Sequence, residues 1–467
     1  MMTKTWVDDF TDLVCKYTDA PSIAIRAVGY WVISATLGPW FKVRETSKPI
    51  APNIFLLISG PAGLARKSTI MSYGRTVFTS AWETFYEEHG IDFDIEDKFI
   101  EEFTIEGLAD NIESVLDRNR DFVLYSDEFG AWIGRSSKHR YLVGEKSILS
   151  KLYYGESFKQ FLSKRGGEKG VRKIPSGIYV TMLAAMQDAD LYLTELDVRM
   201  GLVRRFLLIN LDIEDLNDFK PPLSQDRIDT YEKLNGLGTK IGHKMCYIYD
   251  NFIKDYGNNY KIDIFFSNEI IDNINKFATI CDKMAKTKYR DSPGVMNYLS
   301  SAWEYMMKLI VLESLADPTN YPKLLGGEPI YDVHDTELYK KVYEFYRDVM
   351  NRTITLITDV STDKSKESIR IVRDVYNNIL RTIEKLGGYA SASDLLIRTH
   401  IKKSDLKEYM VSLVEQGKVV AILDKVKHRT GASMKFMFFT RENLARDYLI
   451  KNPGAKVVDY TTLRDLW

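Results

Sequence analysis

Cysteine is scarce, with three residues in 467, and Cys15, Cys246 and Cys281 stand far apart in no pairing pattern. That scarcity argues against a disulfide framework and a zinc site and suits a reducing compartment, so a cytoplasmic location is expected. Long hydrophobic runs are missing too. The most apolar early stretch, 24–37, is too short and too interrupted to span a bilayer, no signal peptide is visible, and no membrane partner is expected. Neither sign of charge dominates: 64 Lys and Arg face 65 Asp and Glu, so bulk charge does not point to nucleic acid. Glutamine occurs only at Gln160, Gln187, Gln225 and Gln416, while Lys, Glu, Ile and Tyr are common, a weak lean towards a thermophilic source. There is no internal repeat and no low-complexity tract, and the length suffices for two or three domains.

What is present is organised around residues 54–69, IFLLISGPAGLARKST. Its apolar run, 54–58, is short enough for a buried strand. The run breaks at Gly60, Pro61, Ala62 and Gly63, continues through Leu64, Ala65 and Arg66, and enters a helical pattern at Lys67, Ser68 and Thr69. Strand, glycine turn and helix N-terminus suit a bound phosphate, because the turn points N–H groups inward and the helix adds its positive end. Residues 60–69 then cradle the phosphates of ATP, Lys67 reaches the β- and γ-phosphates, and Ser68 places a hydroxyl on Mg²⁺. The spacing departs from G-x-x-x-x-G-K-[ST]: Lys67 comes one residue late, and Arg66 stands where glycine is usual. The plainer alternative is a glycine turn between an ordinary strand and helix.

A second short apolar run, 122–126, ends in Asp127 and Glu128. The expectation is a parallel strand beside the phosphate-loop strand, with Asp127 holding Mg²⁺ and Glu128 polarising the attacking water. Residues 157–177 read as a β-hairpin with a Gly166-Gly167 tip. It carries Lys159, Lys164, Arg165, Lys169, Arg172 and Lys173 against the single acid Glu168, a balance suited to a phosphate backbone. A solvated hairpin is the alternative. Gln187, after the apolar run 178–186, could hold the attacking water or report the γ-phosphate, or be an ordinary loop glutamine. Arg204 and Arg205 precede another apolar strand, where an arginine could reach a neighbouring subunit's γ-phosphate or form a surface salt bridge.

Residues 1–50 read as a helical collar packed on the core. In 51–212 strands alternate with helices, which implies an α/β fold with a mainly parallel sheet and helices on both faces. Residues 213–357 follow as a helical region, with helical periodicity throughout 226–360, and 358–366 read as a polar linker. Residues 367–440 form a small separate domain of three helices and two strands, a winged helix-turn-helix pattern. Residues 366–440 hold fourteen Lys and Arg against eight Asp and Glu, so this region is basic while the chain is not. Lys402, Lys403 and Lys407 fall at the expected recognition helix, and Lys425, Lys427 and Arg429 on the wing, which favours DNA over a protein partner. The last 27 residues, 441–467, carry no functional signal.

Taken in order, 60–69, Asp127-Glu128, the hairpin 157–177 and Arg204-Arg205-Phe206 resemble AAA+ ATPases of the hairpin-bearing helicase clade. The chain is most similar to the MCM-like helicases of plasmids, viruses and integrated elements, over about 30–350 in layout. The resemblance implies a P-loop NTPase core with a helical lid, and a homo-oligomeric ring, usually a hexamer, with ATP and Mg²⁺ between subunits and DNA in the pore. It maps the trans-acting arginine onto Arg205, sensor 1 near Gln187, and a sensor-2 role onto Lys308 only as a guess. The zinc-binding cysteines of cellular MCM proteins have no counterpart. The function expected is an ATP-dependent DNA helicase or translocase in replication of a mobile element. Two rivals stay open: an ATP-dependent replication initiator or transposition regulator without processive unwinding, and a nucleotide-switched winged-helix transcription regulator.

Overall fold

The computed structural model describes the chain apart from residues 1–3, 45, 47, 62–64, 102–104, 117–119, 139–142, 164–168, 190, 191, 200, 213, 214, 216–224, 258, 259, 400, 402, 416, 417, 429, 430, 460, 461 and 464–467. It divides into two units, Met1–Ser361 and Thr362–Trp467, each considered by itself.

The first unit begins with α1 (Trp6–Tyr17) and α2 (Ser22–Thr36). α1 is amphipathic, and Asp8 accepts the Thr5 backbone N–H at 2.9 Å to cap its start. α2 is apolar nearly all round and buried from Ala27 to Thr36, so the expected collar contains a helix enclosed in the core. The chain then runs through β1 (Phe41–Val43), β2 (Phe55–Ser59), α3 (Lys67–His89), β3 (Phe99–Ile100), α4 (Ile105–Val115) and β4 (Asp121–Ser126). After α5 (Phe129–Lys138) and α6 (Val143–Tyr153) come the antiparallel pair β5 (Phe158–Ser163) and β6 (Lys169–Ile174). β7 (Tyr179–Met186), α7 (Glu195–Arg199) and β8 (Leu207–Asn210) follow.

Five of these strands form a parallel sheet in the order β3-β4-β7-β2-β8, flanked by helices. Every residue of β2 and β7 is buried, the pattern of interior strands covered on both faces. The order corrects one expectation. The acidic strand β4 does not lie beside β2, because β7 intervenes. β7 is eight residues long and buried throughout, and the centre is the place that covers such a strand completely.

The remainder of the unit is less helical than expected. α8 (Gln225–Ile248) packs against α3 at backbone distance: a Cβ on Gly238 would meet the Val77 carbonyl at 2.6 Å, and one on Gly242 the Ala81 carbonyl at 2.8 Å. β9 (Ile262–Phe266), α9 (Asn268–Thr287), α10 (Pro293–Leu299) and α11 (Ala302–Leu315) follow. Next come β10 (Lys323–Leu325), β11 (Glu328–Val333) and α12 (Thr336–Lys385). A second sheet, β1-β9-β11-β10, thus interrupts the helices. Its strands are short, and their partner β1 lies over two hundred residues upstream, so no local pattern announced them; only Ile262, Ile264 and Phe266 alternate inward. A buried polar cluster ties the N-terminus to this part. Fully buried Glu313 accepts the Thr5 hydroxyl at 2.7 Å and pairs with Lys341, which also pairs with Asp8.

The division between units falls inside the stretch expected as a linker, yet 358–366 is helical, being part of α12. The second unit holds the end of α12, then β12 (Tyr389–Ser391), α13 (Ala392–Thr399), α14 (Lys403–Glu415), β13 (Val420–His428) and β14 (Gly431–Phe439), followed by α15 (Glu442–Lys451) and β15 (Lys456–Val458). Gly387 and Gly388 take left-handed φ of 95° and 87° and end α12, with the Gly388 N–H on the Ile383 carbonyl. The strands form an antiparallel sheet in the order β12-β14-β13-β15. Part of 441–467, silent in sequence, belongs to this fold: β15 pairs with β13, and the Tyr448 hydroxyl donates to Asp424 at 2.7 Å. No helix among the described residues is long and apolar enough to cross a membrane.

Candidate active site

Because the central sheet is parallel, the C-terminal ends of β2, β7 and β4 lie side by side. Register pairs Ser59 with Met186 and Ser126 with Ala184, so Gly60, Gln187 and Asp127 all emerge at one edge. Gly60 is level with Gln187 and Asp127 with Ala185, so with strands about 4.8 Å apart and about 3.3 Å per residue Gly60 and Asp127 are separated by roughly 12 Å. The Ser59 hydroxyl donates to the Gln187 carbonyl at 3.2 Å and links two of these tips. The Leu211 N–H donates to Ser59 O at 2.9 Å, and a Cβ at position 60 would come within 2.9 Å of Leu211 Cβ, so the chain can leave β2 this closely only as glycine.

Ala62, Gly63 and Leu64 lie outside the described residues. Ala65 is buried, and α3 starts at Lys67 with Ser68 exposed and Thr69 half-buried. Lys67 is half-buried, and its ammonium folds back to donate to the carbonyls of Gly60 at 2.5 Å and Pro61 at 3.0 Å. Burial pushes its pKa down, while nearby Asp188 pulls the other way. The first turn of α3 has no side-chain cap and no acidic residue, so its N–H groups and positive end face the loop.

Arg66, where glycine is usual, sits in the left-handed region at φ 47°, ψ 28°. That conformation costs a non-glycine residue about 1–3 kcal/mol. Its guanidinium is turned to Asp19, with Nε to Oδ1 at 2.9 Å and Nη2 to Oδ2 at 3.3 Å. Arg66 can therefore offer its backbone to a phosphate while its side chain is engaged elsewhere.

Asp127, Glu128 and Gln187 are all exposed at the edge. Arg204 and Arg205 belong to a 3₁₀ turn at the opposite end of the sheet, before β8. Leu207 pairs with Leu56, which puts Arg205 roughly 20 Å along the strands from Gly60. Arg204 donates to Asn297 Oδ1 at 3.1 Å. Arg205 donates to Gly201 O at 2.6 Å and lies over the Tyr154 ring at 5.4 Å, with its pKa lowered chiefly by burial. Lys308 is also at that far end. It is fully buried, donating to Asn53 O at 3.1 Å and Oδ1 at 2.9 Å, with its ammonium 3.9 Å from the Tyr153 ring centre. It cannot touch a nucleotide held at Lys67 of the same chain, so the sensor-2 guess is withdrawn.

The hairpin lies where expected, and its register sets Lys159 directly opposite Lys173. Lys173 is exposed, Lys169 and Arg172 lie on β6, and Lys164 and Arg165 fall outside the described residues. In the second unit Lys403 and half-buried Lys407 lie on α14, Lys425 and Lys427 lie on β13, and Lys402 and Arg429 fall outside the described residues.

Sequence reasoning missed Asp19, whose partner is 47 positions away, and Asp188, although the latter directly follows Gln187. A comparison with protein-family models finds no match, and a comparison with curated proteins finds none either.

Proposed function

We propose that the chain is an ATP-hydrolysing motor of the AAA+ type that assembles as a ring, expected to be hexameric, and moves along or unwinds DNA in replication of a mobile element. Lys67, Gln187 and the Asp127-Glu128 pair converge at the C-terminal edge of three neighbouring parallel strands, and this convergence carries the reading. Such an edge is where open α/β sheets take ligands.

The residues present fit ATP and Mg²⁺. The uncapped first turn of α3 suits an anion, and the Lys67 ammonium rests on carbonyl oxygens that a phosphate would outcompete. Ser68 and Asp127 would hold Mg²⁺, which takes one or two protein oxygens beside substrate phosphates. Bound Mg²⁺ neutralises charge on the phosphates as it develops. Glu128 would orient the attacking water and accept its proton, and the Gln187 amide would steady that water or the γ-phosphate. Arg205 is too far from its own chain's cradle, which supports action across a subunit interface.

Two features support DNA as the partner. The hairpin register sets Lys159 opposite Lys173, on arms rich in Lys and Arg that suit a polyanion. The second unit, read as a winged helix, would use α14 for recognition and the β13–β14 hairpin as the wing.

ATP turnover of the purified chain, with and without DNA, beside a strand-displacement assay, tests the proposal. Mg²⁺-dependent, DNA-stimulated turnover with displacement is expected. Turnover without displacement would favour the initiator reading, and absent turnover would overturn the enzyme.

A further inference from the structure

We propose that Asp19 is a positioning residue for the phosphate loop, holding Arg66 in the left-handed conformation from which Lys67 and the first turn of α3 are presented. The inference rests on the nucleotide reading of this loop. In the usual motif the residue before the lysine is glycine, which takes positive φ without strain. Here the position is Arg66 at φ 47°, the one described non-glycine residue with positive φ. Some contact must hold it there, and the contact present is the two-point grip of Asp19 on Nε and Nη2.

Asp19 is well placed to act as a fixed point. It sits in the turn between α1 and α2, its side chain is only 13% exposed, and the next residue, Ala20, is fully buried. α2 packs tightly on the helix that Lys67 opens: a Cβ on Gly74 would approach Val28 Cγ1 to 2.5 Å, and the Trp31 and Phe78 rings are 5.7 Å apart. The carboxylate thus belongs to the same packed body as α3, and Arg66 stands between that body and the first turn of α3. The Arg66 carbonyl accepts the Ile70 N–H at 3.2 Å, the first turn's own hydrogen bond, so losing the left-handed conformation would loosen the cradle from its helical side. In this chain a carboxylate and a guanidinium do the work that glycine does by lacking a side chain.

Four proteins test it: wild type, Asp19→Ala, Arg66→Gly and the double variant. A fluorescent ATP analogue is titrated against each, and amide exchange is followed in the peptide containing Ile70. Asp19→Ala should bind the analogue roughly fivefold more weakly, the scale of one well-formed surface ion pair, and should exchange faster at Ile70. Arg66→Gly should bind at least as well as wild type. The double variant should match Arg66→Gly in both readouts, because glycine makes the grip unnecessary. A merely structural Asp19 would weaken the Arg66→Gly background equally, and that result would overturn the proposal, as would unchanged exchange and affinity in Asp19→Ala. If wild type binds no nucleotide while Asp19→Ala still exchanges faster and Arg66→Gly rescues it, the latch stands as a loop device and the nucleotide reading falls.

Discussion

The Ser59 hydroxyl donates to the Gln187 carbonyl at 3.2 Å and so couples the tip of β2 to the tip of β7, the strand between β2 and β4. The bond fixes Gly60 beside Gln187 at the edge where Asp127 and Glu128 also emerge. The chemistry proposed for the edge divides among side chains that can be removed singly.

Lys67→Ala and Glu128→Gln should fail differently. Loss of the ammonium removes a charge-assisted contact to phosphate and should weaken nucleotide binding roughly 10–100-fold. Glu128→Gln should bind normally and lose turnover by about 10²–10⁴, leaving the ATP state occupied. Equilibrium binding beside steady-state turnover separates the two, and wild-type behaviour in both variants would remove the assignment.

Arg205→Ala should keep nucleotide affinity and lose about 10³–10⁵ in turnover. Its separation from the cradle of its own chain requires the effect to appear only in assemblies. Mixing with wild-type subunits should restore part of the rate. Turnover that persists unchanged in a proven monomer would show that the arginine serves the fold instead.

Stability should rise with pH in the mildly alkaline range. Burial pushes Lys308, Lys244 and Lys261 down to about 8 from 10.5. Between those values the unfolded chain holds protons that the folded chain has released, so the unfolding free energy climbs with pH, by about 1.4 kcal/mol per pH unit for each fully displaced group. The same lysines are charged in both states well below pH 8 and contribute no slope there. Lys308→Met should make the slope shallower. Urea unfolding at pH 7.5, 8.0 and 8.5 measures this, below the range where the buried thiols of Cys246 and Cys281, pushed up to about 12 and about 11, and the buried tyrosines oppose it. An unchanged slope in the variant would assign Lys308 an ordinary pKa.

The two basic elements should contribute separable effects on DNA. Replacing Lys164, Arg165 and Lys169 with alanine should lower DNA-stimulated turnover and unwinding more than static binding. Replacing Lys402, Lys403, Lys427 and Arg429 should mainly weaken initial binding and leave basal turnover intact. Each lost phosphate contact should reduce the magnitude of the log K against log salt slope by about 0.7–0.9. Normal unwinding with an unchanged slope in the hairpin variant would place the motor's grip elsewhere, and unchanged affinity in the second variant would make the C-terminal unit a protein-docking module.

Short-range pattern was enough for much of this protein. The buried run into Gly60, the acidic end of β4, the hairpin arms about Gly166-Gly167 and the helix stop at Gly387-Gly388 are each written within a dozen residues, because strand period, turn chemistry and capping are local. Tertiary structure alone decided how those pieces meet. It inserted β7 between β2 and β4, since a strand buried at all eight positions is covered best at the centre of the sheet. It paired β1 with β9 and β15 with β13, pairings whose partners are too short to be read in isolation. It buried Lys308 against Asn53, at the end of the sheet away from Gly60, and set Asp19 against Arg66. Contacts of that kind depend on where whole elements pack, and a side chain's neighbours across the chain leave no mark in the residues beside it.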